Sequence, residues 1–89
     1  MTRLPQVLRN VKVSDPSRLA AARAVWDEVA FVESQLAGNG RVLLRASGTE
    51  ALVRVMAEAP THQLARDVVD RLVTVVLREL DATGQADRS

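Results

Sequence analysis

Polar and apolar residues alternate along residues 6–13, which read QVLRNVKV. In an extended chain they form two opposite sets, one of Val7, Arg9, Val11 and Val13 and the other of Leu8, Asn10 and Lys12. A period of two is typical of a strand with one covered face. The pattern therefore predicts a first strand over this segment.

A helical spacing of apolar residues follows. Asp15 after Ser14 offers an N-cap, and Pro16 suits the first helical position. Gly38 marks the end, with Asn39 and Gly40 behind it. The sequence predicts one helix over about residues 16–37, with Trp26 and Phe31 expected inside the core. Its apolar stripe consists of Leu19, Ala22, Val25, Trp26, Val29, Val32 and Leu36.

Two short runs rich in Val and Leu come next, at residues 41–46 and 52–58, separated by the polar residues SGTE. This arrangement predicts a hairpin. Pro60 and Thr61 then introduce a second helix that ends near Leu80. Its apolar face consists of Leu64, Val68, Leu72, Val75, Val76 and Leu80.

The order strand, helix, strand, strand, helix predicts an α+β domain, with an antiparallel sheet and both helices packed on one of its faces. The domain is expected to occupy residues 1–80. Residues 81–89 are small and polar without apolar periodicity, so they are expected to form a disordered tail. The other sheet face is thinly covered, being either open to solvent or a docking surface.

Composition narrows the class of protein. Of 89 residues, 47% are hydrophobic and 26% charged, which fits one folded domain. No apolar run of about 20 residues predicts a membrane span, and no secretory signal follows Met1, so we expect a cytoplasmic location. The chain has no cysteine and one histidine, His62, which excludes a disulfide framework, a thiolate zinc site and a histidine-rich metal site. A net charge of +1 does not favour nucleic acid as a partner.

Candidate chemistry is concentrated in residues 40–54, GRVLLRASGTEALVR. Two arginines, two hydroxyls and a glycine that lets backbone N–H groups approach are typical of a phosphate site. If Arg45 pairs with Leu52 across the hairpin, Arg45 and Arg54 share one face, one at the loop and one a step below it. The other register separates them. The phosphate-site candidates are Arg45, Ser47, Gly48, Thr49 and Arg54.

These residues, with Glu50, match the R-x-S-G-T-E-P-x-x-R signature of the C-terminal domain of the α-D-phosphohexomutases, the phosphoglucomutase/phosphomannomutase family. The chain resembles this domain from Leu4 to about Leu80, and the segments LPQVLRNVKV and GRVLLR resemble its amino-sugar members. The resemblance implies a TATA-binding-protein-like fold and the fourth domain of a longer enzyme, closing over its active-site cleft.

The resemblance also implies roles for individual residues. Arg45, Ser47, Gly48 and Thr49 match residues that hold the phosphate that is not being transferred, and Arg54 belongs to the same motif. Glu50 either bonds the backbone N–H groups of its own loop, shaping it, or contacts a sugar hydroxyl.

Catalysis is expected elsewhere in such an enzyme. The resemblance to the amino-sugar members implies an enzyme that converts glucosamine 6-phosphate to glucosamine 1-phosphate with a phosphoserine and a Mg²⁺ ion held in another domain, so the implied partners are the phosphosugar and the remaining mutase domains. This chain has neither a phosphoserine loop nor an acidic metal loop, and we expect no catalytic residue, no metal site and no activity from it alone. Ser47 lacks a base, since His62 is expected to be a plain exposed residue.

One residue departs from the signature, because Ala51 stands where the family has proline. Loss of the rigid ring is expected to loosen the loop. A different class of function, a non-catalytic module binding acidic partners or nucleic acid, would use the basic strip of Arg3, Arg9 and Lys12. Because Trp26 and Phe31 are expected inside the core, this alternative is expected to lack an exposed aromatic platform for stacking bases.

Overall fold

The computed structural model describes residues 4–80. Its elements are β1 (Gln6–Lys12), a 3₁₀ helix (Pro16–Ala21), α1 (Arg23–Leu36), β2 (Arg41–Ala46), β3 (Leu52–Glu58) and α2 (His62–Leu80). The strands form one antiparallel sheet in the order β1-β3-β2. The first strand ends one residue earlier than predicted. Arg3 and the expected tail both lie outside the described residues.

Both helices cover the same face of the sheet. α2 lies across β1 and β3, while α1 packs against α2 and along β2. The covered face of the hairpin contributes Val42, Leu44, Val53, Val55 and Ala57, all of which are buried. The predicted α+β architecture is confirmed. Nothing within residues 4–80 covers the opposite face, which we call the outer face, and Leu8 and Leu43 are about half exposed there.

The prediction of a single first helix is wrong, because the helix breaks at Ala22. Asp15 caps the 3₁₀ helix by accepting a hydrogen bond from Ser17 N, and Ala22 then leaves helical geometry with φ −82° and ψ 78°. In a continuous helix Leu19 would lie roughly 120° around the axis from Val25. The break turns both residues into the core, where they are buried.

Neither aromatic residue lies inside the core, contrary to the prediction. Trp26 is 38% exposed, and its Nε1 donates to the Leu19 carbonyl oxygen at 2.8 Å, so the indole bridges the break in the helix. Phe31 is 46% exposed beneath the guanidinium of Arg71, which lies 4.9 Å from the ring centroid. Arg71 also pairs with Glu28, which joins α1 to α2 at their exposed edge.

The stripe predicted for the last helix is correct except at its first residue. Leu64 is exposed, whereas Ala65 and Val69 join the remaining predicted residues in the core. The helix begins at His62, one residue after the predicted start signal, and Thr61 Oγ1 accepts a hydrogen bond from Leu64 N.

Gly40 fixes where the hairpin begins. A Cβ on this residue would collide with the backbone oxygen of Glu58, so only glycine allows β2 to start against the end of β3. A side chain at this position would therefore disturb the pairing of β2 with β3 at this end of the hairpin.

No helix within residues 4–80 is both long and apolar enough to cross a membrane. The same residues contain no group of three histidine, aspartate or glutamate side chains placed to hold a metal ion.

Candidate functional site

The two arginines of the motif lie side by side on the outer face. Arg45 of β2 pairs directly with Arg54 of β3, and Ala46 pairs with Val53 beside them. The sequence left the register open, and the observed pairing is shifted by two residues from the one that would pair Arg45 with Leu52. A shift of two leaves every side chain on its original face, so both guanidinium groups share a face. They stand in one cross-strand row instead of at two levels.

Ser47 organises the loop that joins the two strands. Its Oγ accepts hydrogen bonds from the backbone nitrogens of Glu50 at 3.1 Å and Thr49 at 3.3 Å, and its own N–H donates to the Leu52 carbonyl at 2.9 Å. A hydroxyl that accepts two bonds still has one proton to donate. Ser47 thus shapes the loop, and its hydroxyl proton remains available to a further acceptor.

The loop and the arginine row enclose a small cavity. Its volume is about 150 Å³, and its lining consists of Arg45, Ala46, Ser47, Gly48, Leu52 and Arg54. Gly48 leaves open space, since a Cβ there would meet nothing within 4 Å. Four of the five predicted phosphate-binding residues therefore share one cavity. The fifth, Thr49, lines a wider hollow on the other side of the loop together with Asp15 and Glu50.

The charges of the arginine row are not balanced by neighbouring carboxylates. Within residues 4–80, the ion pairs are Arg9–Asp70, Arg41–Glu58, Arg71–Glu28 and Arg78–Glu79. Arg45 and Arg54 take part in none of them. Like charges at directly opposed positions of a sheet are destabilising. The row is therefore a concentrated positive site.

The structure divides the basic strip proposed for a nucleic-acid partner. Arg9 faces the helices, where its Nη1 donates to Asp70 Oδ1 at 2.7 Å. Lys12 pairs with Leu52 in the sheet and lies on the outer face. Arg9 and Lys12 therefore belong to opposite faces of β1, and the described part of the chain presents no continuous basic strip along this strand.

Glu50 and His62 are both exposed. The loop-shaping bonds described above are accepted by Ser47 Oγ. Within residues 4–80 the Glu50 carboxylate accepts no hydrogen bond, so a loop-shaping role for that side chain stays a prediction. His62 lies at the start of α2 as expected, away from the lining of the cavity.

Ala51 occupies a turn that suits the proline of the family signature. Leu52 N donates to the Glu50 carbonyl at 2.8 Å, which forms a three-residue γ-turn centred on Ala51. Ala51 has a negative φ, because Ala37 is the one non-glycine residue of the described chain with a positive φ. An inverse γ-turn has a central φ of about −75°, close to the angle fixed by a proline ring.

We predict that Ala51→Pro stabilises the domain. The ring reduces the conformational freedom of the unfolded chain, and within residues 4–80 the Ala51 N–H makes no hydrogen bond that the change would remove. The free energy of unfolding should rise by about 0.4–1 kcal/mol. Chemical denaturation followed by circular dichroism measures this value, and a lower midpoint at unchanged slope would show that the turn does not tolerate the ring.

Three residues at the site were not predicted from the sequence. Ala46 and Leu52 line the cavity, and Asn10 of β1 accepts a hydrogen bond from Arg54 Nε at 3.3 Å. The alternation in β1 places Asn10 on the face opposite Val11. Nothing in the sequence says that β1 pairs with β3 in the register that brings Asn10 beside Arg54.

Comparison with known proteins agrees with this geometry. The family model described as the phosphoglucomutase/phosphomannomutase C-terminal domain matches residues 8–75. The chain belongs to this family. This phosphohexomutase C-terminal domain is 60% identical over 80 residues to the phosphoglucosamine mutase of Parafrankia sp. (strain EAN1pec), and 49% identical over 80 residues to that of Geobacillus thermodenitrificans (strain NG80-2). Each match covers 90% of the chain, but only 17% and 18% of the respective relative.

Solved structures of related mutases share the fold of the domain at lower sequence identity. The N-acetylphosphoglucosamine mutase of Aspergillus fumigatus, in complex with GlcNAc-6P and magnesium, is 33% identical with a TM-score of 0.71. An N-acetylglucosamine-phosphate mutase in its substrate complex is 36% identical, with a TM-score of 0.71. Each comparison covers 84% of this domain and 16% of the larger protein. The domain thus spans about a sixth of the length of its relatives.

Proposed function

We propose that this chain is the phosphate-binding C-terminal domain of a phosphoglucosamine mutase, an enzyme that interconverts glucosamine 6-phosphate and glucosamine 1-phosphate. The names of its relatives support the choice of enzyme. The proposed ligand of the site is the phosphate group of the sugar phosphate, and the proposed partners are the other domains of the mutase.

The observation that carries this proposal is the pairing of Arg45 with Arg54 on an exposed face beside the SGTE loop. Two adjacent guanidinium groups repel each other and gain nothing for folding from this position. A phosphate carries about −1.5 to −2 charges near neutral pH, so a bound phosphate would turn their repulsion into attraction. The arrangement is unfavourable in an empty domain and favourable in a liganded one.

The loop offers further donors with suitable positions. Gly48 lines the cavity, and its backbone N–H makes no hydrogen bond within residues 4–80. It also lacks the positive φ and the close contacts that would require glycine for folding. In this proposal, glycine at position 48 leaves the backbone N–H groups of the loop accessible to the ligand. The Ser47 hydroxyl proton adds a second donor, and the planar guanidinium groups provide bidentate ones.

The role proposed is positioning, and the chemical step is assigned to the remainder of the enzyme. Mg²⁺ in phosphoryl transfer is usually bound by carboxylates and substrate phosphates. Residues 4–80 contain no cluster of three or more histidine, aspartate or glutamate side chains that could hold a metal ion, so no residue here is proposed to hold Mg²⁺. Holding the phosphate that does not react would orient the sugar. A correctly oriented sugar lowers the barrier to phosphoryl transfer.

Titration of the ¹⁵N-labelled chain with glucosamine 6-phosphate tests the proposal. We expect NMR shift changes at Ser47, Gly48, Thr49 and Arg54, with a Kd in the millimolar range, since one phosphate held without the rest of the enzyme is worth about 4 kcal/mol. Inorganic phosphate should perturb the same signals. Glucosamine, which lacks the phosphate, should leave them unchanged.

The opposite pattern would contradict the proposal. If shifts were confined to β1 while the loop residues stayed silent, the motif would not be a phosphate site. Equal responses to glucosamine and glucosamine 6-phosphate would likewise show that the cavity does not recognise phosphate.

A further inference from the structure

The cross-strand line of residues that holds the arginine row continues onto the third strand of the sheet. Arg54 is the central member, with Arg45 beside it on β2 and Asn10 beside it on β1. All three are exposed on the outer face. Arg54 Nε donates to Asn10 Oδ1 at 3.3 Å, so the guanidinium is fixed on the side away from Arg45.

The bonded atom determines what remains available to a ligand. A guanidinium has five N–H donors, and the bond to Asn10 uses the single donor on Nε. The four donors on the terminal nitrogens are left for other partners. Because Arg45 repels the group from one side, an acceptor on the other side restricts the orientations that it can sample. The bond therefore favours a pre-organised Arg54.

The chemical type of the acceptor is equally informative. Asparagine is among the residues depleted in strands, so strand propensity does not account for it in β1. An aspartate would accept the same hydrogen bond, but its charge would neutralise Arg54. The amide orients the guanidinium without lowering the positive charge of the row. A site for an anion needs both properties.

We propose that Asn10 is a positioning residue, which orients Arg54 for phosphate while leaving its charge intact. The proposal rests on the proposed function of the site. It assigns a role in ligand binding to β1, a strand outside the SGTE motif that contributes no residue to the lining of the cavity.

The first test measures binding of inorganic phosphate to the full chain by NMR at constant ionic strength. Asn10→Ala should raise the Kd by roughly three- to tenfold, the usual effect of one lost hydrogen bond. Asn10→Asp keeps the acceptor and adds a negative charge, so it should raise the Kd further. Gln6→Ala is the matched control. Gln6 lies on the same strand and face as Asn10, and its Nε2 donates a hydrogen bond to Glu58 Oε2 at 2.7 Å. This variant should bind phosphate like the unmodified chain.

A second readout follows Arg54 directly and needs no ligand. The Nε–Hε signal of Arg54, assigned by its loss in Arg54→Lys, should shift and exchange severalfold faster with water in Asn10→Ala, but not in Gln6→Ala. In the Arg54→Lys background the Nε donor is absent. Asn10→Ala should then weaken phosphate binding no further.

The outcomes separate the two proposals. If the unmodified chain binds no phosphate, the proposed function fails, and the Nε–Hε signal still decides whether Asn10 holds Arg54. If it binds phosphate and Asn10→Ala binds equally well, the role of Asn10 is overturned alone. An unchanged Nε–Hε signal, or a full additional loss of affinity in the Arg54→Lys background, would also overturn it.

Discussion

We expect Arg45→Ala to abolish the millimolar binding of phosphate and of glucosamine 6-phosphate that is proposed for this chain. Arg45 and Arg54 form the whole of the arginine row, so the substitution removes half of its charge and one planar pair of donors. Hydrogen bonds to charged groups are worth about 1.5–3 kcal/mol each. Loss of one arginine from a site worth about 4 kcal/mol leaves binding too weak to saturate.

Arg45→Lys separates charge from geometry at the same position. A lysine ammonium restores the positive charge but not the two coplanar N–H donors of the guanidinium, so we expect phosphate binding to recover only in part. His62→Ala serves as the control, because His62 is exposed and lies outside the cavity lining. Binding by Arg45→Ala at the level of His62→Ala would show that phosphate occupies another surface.

Leu72→Ala will lower the stability of the domain more than any other substitution considered above. Leu72 is fully buried in the middle of α2, the helix that lies across β1 and β3. Truncation of such a residue costs about 2–5 kcal/mol through lost burial and the cavity left behind. A chain of this size is stabilised by only roughly 4–13 kcal/mol in total. The melting temperature should fall by at least about 10 °C.

The same helix supplies a matched control for that experiment. Leu77 is 37% exposed, so Leu77→Ala removes the same atoms from a partly solvated position. Its loss should be about 1 kcal/mol or less, because surface substitutions change stability little. Calorimetry of both variants measures the difference. Similar melting temperatures for the two would mean that α2 does not pack on the sheet as described.

Secondary structure was largely predictable because local signals decide it. The bounds of β2 and β3 agree with the sequence pattern, and Asp15 with Pro16 marks the start of the first helical segment. The failures occur where distant contacts compete with local preference. The helix breaks at Ala22 because Leu19 and Val25 must both reach one core, a requirement set by the sheet and α2.

The candidate site, too, was predictable only where its residues are close in sequence. Ser47, Gly48 and Arg45 are recognisable as phosphate-binding types because they are neighbours in sequence. The direct pairing of Arg45 with Arg54 depends on the hairpin register, which the residue pattern left open. Asn10 is 44 residues from Arg54 in the chain. No local pattern connects them.

The sequence by itself determined the order of the elements, the face of each strand and the residue types of the loop, because periodicity and turn chemistry act over a few residues. Only the tertiary structure decided which strands are neighbours, and in which register. Pairing of β3 with both other strands places Arg45, Arg54 and Asn10 in a single row. Their adjacency results from backbone hydrogen bonds between strands far apart in sequence, whose partners are chosen by burial of the common core.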